Sequence, residues 1–250
     1  MSGDLELSVV VPMFNEVDNV PLLWGELEAA LAKLGRRAEI IFVDDGSTDG
    51  SGEAVQALIK RDARVRLVSF EANAGLSAAF KAGYAAARAP IVVTMDADLQ
   101  NDPADVERLL AALGSADAAV GYRERRRDRW RKRMSSRIAN AIRNRVTGDR
   151  VRDSACSLRV MRRECLAAIP SFSGMHRFVP TLLRLAGYRV VEVPVNHRPR
   201  GLGRSKFGIW NRALPAFLDL LVVRWMMRRT VRPRIREIAP SDRPQAPGAG

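Results

Sequence analysis

Short apolar runs alternate with helix-length segments through the first half of the chain. Residues 7–11, 39–43, 65–70, 91–95 and 118–121 read as strands, and residues 22–34, 50–61, 76–87 and 103–113 read as the helices between them. That rhythm predicts a mainly parallel sheet flanked by helices on both faces. The run 91–95, Ile-Val-Val-Thr-Met, has no polar alternation and fits a strand covered on both faces. In such sheets ligands bind at the carboxyl ends of the strands. Residues 157–161 and 189–195 add plausible strands of a second, smaller sheet region.

Oxygen-bearing side chains collect at those strand ends. Residues 91–95 run into Asp96-Ala97-Asp98-Leu99-Gln100-Asn101-Asp102 before Pro103. On an extended chain, alternation puts Asp96, Asp98 and Gln100 on one side, and three hard oxygen groups suit Mg²⁺ or Mn²⁺ rather than zinc. Capping of the next helix accounts equally for Asn101 or Asp102. The first strand ends in Pro12-Met13-Phe14-Asn15-Glu16 and the second in Asp44-Asp45-Gly46-Ser47-Thr48-Asp49-Gly50, on the same rim. Asp44 or Asp45 can accept hydrogen bonds from a base edge or ribose hydroxyls. Thr48 and Asp49 serve as well for helix capping as for ligand contact. Asn73-Ala74-Gly75 makes a tight turn that either admits a nucleotide or simply starts a helix.

The charge balance asks for an anionic partner. The net charge is +13, and only five of the 41 basic residues are Lys. Arg suits bidentate phosphate recognition, although a GC-rich genome produces the same bias. Nucleic acid, an acidic membrane surface and phosphorylated small molecules all satisfy the charge alone. Residues 123–145 are densely basic, and Trp130 is their one aromatic. No recognition helix or aromatic RNA-binding motif accompanies them, so no nucleic acid is expected. Cys156 and Cys165 lack metal-ligand spacing, which fits a reduced, cytoplasmic compartment. No basic segment followed by an apolar core opens the sequence, so no export signal is expected.

Taken together, Pro12-x-x-Asn15-Glu16, Asp44-Asp45-Gly46-Ser47-x-Asp49, Asn73-x-Gly75 and Asp96-Ala-Asp98-Leu-Gln100 resemble the family-two inverting glycosyltransferases of the GT-A (nucleotide-diphospho-sugar transferase) fold. Gln100 and the distal Arg200-x-x-Gly203-x-Ser205-Lys206 resemble more narrowly the dolichol-phosphate mannosyltransferase and polyprenyl-phosphate glycosyltransferase branch. The likeness runs over about residues 7–210. It implies that Pro12, Asn15, Glu16, Asp44, Asp45 and Ser47 form the nucleotide pocket. It also implies that Asp96, Asp98 and Gln100 hold Mg²⁺ or Mn²⁺ against the donor diphosphate. Arg200, Ser205 and Lys206 would supply donors to a diphosphate or acceptor phosphate. Asp153, in a segment that ends Ser157-Leu158-Arg159 where the family more often has Gly-Phe-Arg, would act near the acceptor by orientation or charge.

The resemblance implies transfer of a hexose-type sugar from a nucleotide-sugar donor to a polyprenyl phosphate acceptor, peripheral to the inner face of the cytoplasmic membrane. One alternative is transfer to a saccharide or lipid hydroxyl, weakened by the absence of Gln-x-x-Arg-Trp. Another is a non-enzymatic basic adaptor, against which the intact Asp96, Asp98 and Gln100 stand. The expected organisation is a catalytic domain over residues 1–210, an amphipathic helix over 211–230 and a disordered tail over 231–250. Residues 214–227 would span roughly 21 Å as a helix, short of the ~30 Å hydrocarbon core. Leu214, Phe217, Leu218, Leu221 and Trp225 recur at helical spacing, which suits an anionic bilayer surface, a small membrane-embedded partner protein, or ordinary core packing.

Overall fold

Every residue of β1 (Leu7–Met13) and β2 (Ala38–Asp44) is buried, as an apolar strand in the middle of a covered sheet must be. The computed structural model describes residues 4–123, 141, 143–148, 151–199 and 210–229, with residues 210–216 described by backbone alone. The helices α1 (Asn19–Leu34), α2 (Ser51–Ile59) and α3 (Leu76–Ala86) alternate with β1, β2, β3 (Val65–Ser69) and β4 (Ile91–Thr94). A single 3-10 turn, Pro103–Asp105, then leads into α4 (Val106–Leu113). β5 (Ala118–Arg123), β6 (Arg159–Arg162), α5 (Val179–Leu185), β7 (Val190–Val195) and α6 (Trp210–Arg229) follow.

The seven strands among the described residues form one sheet in the order β3-β2-β1-β4-β6-β5-β7. β1 to β4 are mutually parallel where they pair, β6 runs antiparallel between β4 and β5, and β5 pairs parallel with β7. The second sheet region expected from residues 157–161 and 189–195 therefore does not exist as a separate sheet. Thr94 pairs with Arg159 and Val120 with the same Arg159, so β6 extends the main sheet instead. Apolar runs reveal that a strand exists, but its partner is decided by tertiary packing.

Alternate residues feed two core layers. Val9, Val11, Ile40 and Phe42 pack with Leu23, Leu27, Val55, Leu58, Val106 and Leu109 on one face. Val10, Ile41 and Val43 pack with Phe80, Tyr84, Leu182, Leu183, Leu220 and Val223 on the other. Each fully buried large side chain contributes about 1.5–3 kcal/mol. The fit of α3 against β1 is close: a Cβ on Gly83 would stand only 2.2 Å from Val10 Cγ1. From β1 the strand order runs to β2 on one side and to β4 on the other. The loops that leave these three strands thus meet around a switch point, where open α/β sheets form their ligand crevice.

The expected C-terminal helix is present, and it presents apolar side chains both inward and outward. Leu220 and Val223 are buried, with Met226 and Met227 packed beside them against the second core layer. Phe217, Leu218, Leu221 and Trp225, the stripe expected to define the helix, face outward with Val222, and Trp225 is 61 % exposed. The described part of α6 thus carries an inward apolar face and an outward one in which the apolar stripe stands beside exposed Arg228 and Arg229. Asp219 fastens it to the body, lying 3.5 Å from Arg177 and packed against Gly174. Among the described residues, no helix is long and apolar enough to cross a membrane. Arg200, Ser205, Lys206, most of the basic stretch 123–145 and the tail 231–250 lie outside the described residues.

Candidate active site

The loops after β1 and β2 are laced together by their own polar groups. Asn15 adopts φ 53°, a left-handed conformation that Asn tolerates better than most residues. Its N–H donates to Ser47 Oγ and its Oδ1 accepts from the Thr48 N–H, both at 2.8 Å. The Glu16 N–H donates to Ser51 Oγ at 2.8 Å, and Ser51 Oγ donates to Asp49 Oδ1 at 2.6 Å. Asp49 Oδ2 also accepts from the Val17 N–H at 3.2 Å. Burial pushes the Asp49 carboxyl up, but the Ser51 hydroxyl and the Val17 and Ser51 amides outweigh it and hold its pKa below the usual value. Asp49, left open in sequence between cap and ligand, is a lacing residue, and Ser51 is its unforeseen partner.

Pro12, Asp44 and Asp45 are buried. Asp44 Oδ1 accepts from the Ser47 N–H at 3.0 Å, closing the turn that follows β2. Asp45 grips the turn before α3, accepting from Asn73 Nδ2 at 2.9 Å, the Ala74 N–H at 2.7 Å and the Gly75 N–H at 3.0 Å. Asp45 therefore shapes this rim through its carboxylate. Glu16 is half-buried and its Oε2 accepts from Asn19 Nδ2 at 2.5 Å, which anchors it to the start of α1.

β4 ends at Thr94, so Asp96, Asp98 and Gln100 stand on the loop beyond it. Leu99 has φ 60°, and extended-chain alternation is not what groups them. The loop turns tightly here, with Asp98 Oδ1 accepting from the Gln100 N–H at 3.2 Å. Burial first, and the negative charge of Asp98 second, push the Asp96 carboxyl up to about 6, against the pull of the Ser157 hydroxyl and the Arg159 and Arg123 guanidiniums. Two acids that resist joint ionisation are the donor set a hard divalent cation relieves. Gln100 Nε2 donates over 3.5 Å to the Arg198 carbonyl, which leaves its amide oxygen as an acceptor for another group. No group of three His, Cys, Asp or Glu side chains converges among the described residues. A cation here would rest on the acid pair, Gln100, donor phosphates and water.

Near the acid pair lie two arginines: Arg123, read in sequence only as the start of the basic stretch 123–145, and Arg159, read only as the end of a motif. Arg123, at the end of β5, forms a two-pronged pair with Asp153 and is only 13 % exposed. Asp153 Oδ1 also accepts from the Ala155 N–H at 3.2 Å. Both oxygens of the expected acceptor-side acid are thus engaged. Arg159 is 2 % exposed and donates from Nη2 to the His176 carbonyl at 2.8 Å. Burial at a strand end was the missing signal, because in sequence Arg123 merges with the basic stretch that follows and Arg159 only closes a motif.

Beyond β7 the chain comes back to the acidic loop. Arg198 donates its N–H to the Gln100 carbonyl at 3.0 Å, and its Nη1 lies 2.7 Å from both Glu26 carboxylate oxygens. Arg198 Nη2 lies 2.9 Å from Asp102 Oδ1.

Known proteins are similar to this chain in sequence and in fold. Residues 8–169 match the family described as glycosyl transferase family 2. A dodecaprenyl-phosphate galacturonate synthase of Rhizobium johnstonii is 37 % identical over 235 residues, covering 92 % of this chain and 69 % of that protein. An undecaprenyl-phosphate 4-deoxy-4-formamido-L-arabinose transferase of Edwardsiella ictaluri is 36 % identical over 205 residues, 81 % of this chain and 63 % of its own length. The chain thus spans about two thirds of these relatives. Among solved structures, the glucosyl-3-phosphoglycerate synthase of Mycobacterium tuberculosis with Mn²⁺, UDP and phosphoglyceric acid aligns with TM-score 0.65 at 20 % identity, over 92 % of this chain and 80 % of its own. A mannosyltransferase of Pyrobaculum calidifontis with GDP-Man and Mn²⁺ aligns with TM-score 0.59 at 19 % identity, over 90 % and 70 %. These two likenesses establish the GT-A fold. With that fold, a rim of laced acidic loops at its switch point and a family match that covers more than half of its length, the chain belongs to glycosyl transferase family 2, an enzyme family of glycosyltransferases.

Proposed function

We propose that this enzyme transfers a hexose-type sugar, with inversion, from a nucleotide sugar to a polyprenyl phosphate at the cytoplasmic membrane face. The observation that carries the acceptor class is the likeness to two proteins named for sugar transfer to prenyl phosphates, at 37 % and 36 % identity. Asp96, Asp98 and Gln100 would hold Mg²⁺ or Mn²⁺. Bound there, the cation supplies Lewis-acid stabilisation for the charge that grows on the departing diphosphate. The laced loops after β1 and β2 form the nucleotide side of the crevice, and Asp44 and Glu16 present oxygens to it.

Asp153 acts by charge and position. A phosphate acceptor is largely ionised near neutral pH, its second pKa being about 6, so no strong base has to be supplied. A carboxylate held by Arg123 suits that chemistry, since it fixes the guanidinium beside the acid pair. Arg200, Ser205 and Lys206 are proposed as further phosphate donors. The outward face of α6, with Phe217, Leu221 and Trp225 beside Arg228 and Arg229, would rest on the anionic bilayer. Each basic residue near such a surface contributes about 1 kcal/mol.

The test is to incubate the protein and Mn²⁺ with membranes and a panel of labelled nucleotide sugars. Label in an acid-labile lipid is the expected result. Label found only in acid-stable glycolipid or saccharide would replace the phosphate acceptor with a hydroxyl. Turnover on polyprenyl phosphate in pure anionic liposomes would show that no membrane-embedded partner is required.

A further inference from the structure

β7 lies at one edge of the sheet, yet the chain leaving it returns to the cation loop. In the strand order β5 and β6 separate it from β4, so the contact joins segments that are not sheet neighbours. Residues 196–198 lie against that loop as a strap bonded to it at each position. Asp105 Oδ2 accepts from the Asn196 N–H at 2.6 Å, and His197 forms a backbone bridge with Asn101. Arg198 then exchanges hydrogen bonds with Gln100, its N–H donating to the Gln100 carbonyl at 3.0 Å and its carbonyl accepting from Gln100 Nε2 at 3.5 Å.

We propose that Arg198 is a positioning residue for the divalent cation, a clamp between α1 and the acidic loop that orients the Gln100 amide. This rests on the assignment of Asp96, Asp98 and Gln100 as the cation site. The Arg198 guanidinium spans two carboxylates on different elements: Glu26, on the regular helix α1, and Asp102, in the loop itself. Nη1 lies 2.7 Å from each Glu26 oxygen while Nη2 lies 2.9 Å from Asp102 Oδ1, so two nitrogens of one rigid plane hold both carboxylates at once, which the single nitrogen of a lysine reproduces only in part. The loop needs bracing from outside, because Leu99 at φ 60° has no intrinsic preference for that conformation. The consequence for Gln100 is specific. A carbonyl can only accept, so the amide must turn its nitrogen to Arg198, and its oxygen is then presented elsewhere as a hard donor. Partners that orient a ligating group are part of a metal site even when they never touch the ion.

The experiment is a double-mutant cycle of Arg198→Met and Gln100→Ala, read as Mn²⁺ affinity by electron paramagnetic resonance, alone and with UDP or GDP. Arg198→Met should weaken Mn²⁺ about tenfold, in the range seen when orienting partners are lost. Arg198→Lys should recover part of it. In a Gln100→Ala background Arg198→Met should cost nothing further, because the clamp acts through that amide. Additive losses, or an affinity within about twofold of the parent despite a lowered melting temperature, would reduce Arg198 to a stabilising ion pair. If Arg198→Met does not fold, Glu26→Gln takes its place in the same cycle. Should the parent bind no Mn²⁺ under any of these conditions, the cation site and the clamp both fall. Binding by the parent with an unaffected Arg198→Met sinks the clamp alone.

Discussion

Arg123 and Asp153 close on each other through two parallel hydrogen bonds, Nε to Oδ2 at 2.6 Å and Nη2 to Oδ1 at 2.9 Å, with the two side chains 13 % and 7 % exposed. A carboxylate held this way is poorly placed to take a proton from substrate. Removing one partner of such a buried pair strands the other's charge and costs about 3–5 kcal/mol. Asp153→Ala should therefore lower the melting temperature as well as turnover. Asp153→Asn, which keeps a hydrogen-bonding shape, should lower kcat while the form of the pH–rate profile stays the same. A lost ascending limb in Asp153→Asn would make Asp153 a general base after all.

The acid pair makes a second prediction. Asp98→Ala should abolish transfer and leave the fold intact, because the diphosphate loses its electrophilic partner and Asp96 loses a repulsive neighbour. The Asp96 pKa should move down in this variant, which carboxyl-resolved NMR can follow. Full turnover in Asp98→Ala, or in excess chelator, removes the assignment.

A pH dependence follows from the same group. The folded-state pKa of Asp96 is raised from 3.8 to about 6, so the stability it contributes is fully present below about 3.8 and is lost as pH rises through 6. A bound divalent cation offsets that loss by stabilising the ionised form. The rise in melting temperature on adding Mn²⁺ should accordingly be larger at pH 7 than at pH 5, where the cation must displace a proton. An equal rise at both values would show that Asp96 ionises normally.

The parts of this site that were legible in sequence are those written in contiguous residues. Asp44-Asp45, Asp96-x-Asp98 and Asn15-Glu16 each stand at or just beyond the end of an apolar strand, and that position puts them on one rim. What joins distant segments was not legible. β6 could be recognised as a strand, but its insertion between β4 and β5 depends on pairings such as Thr94 with Arg159, 65 positions apart in sequence. Leu99 looks like any strand residue until the loop is closed by Asp98 and Arg198. Asp45 reads as a ligand in isolation, and only the fold brings the three residues 73–75 to its carboxylate.

Glu39, buried at the opposite end of the sheet, should govern acid sensitivity. It accepts from Ser8 Oγ at 2.7 Å, Arg66 Nη1 at 2.5 Å and the Arg88 N–H at 2.8 Å. Burial raises its pKa, but the Ser8, Arg66 and Arg88 donors outweigh burial and leave it below 4.5. Its stabilisation is fully present above 4.5 and is lost as pH falls through the depressed value. Glu39→Gln should lower stability at pH 7 and flatten the loss between pH 5 and pH 3 in urea titrations. An unchanged acid slope would assign that loss to other carboxylates.

The outward face of α6 separates membrane seating from folding. Leu221 and Trp225 are exposed while Leu220 and Val223, on the same helix, are buried, so the two pairs can be varied independently. Leu221→Ser with Trp225→Ser removes no core contact and should shift stability by less than about 1 kcal/mol. The same pair should weaken sedimentation with anionic liposomes, and added salt should weaken it further by screening Arg228 and Arg229. Val223→Ser, by contrast, should destabilise the fold, since it puts a hydroxyl into the second core layer. If liposome binding survives the Leu221 and Trp225 replacements and disappears only when Val223 is changed, α6 is a packing element, and the membrane contact belongs to another surface.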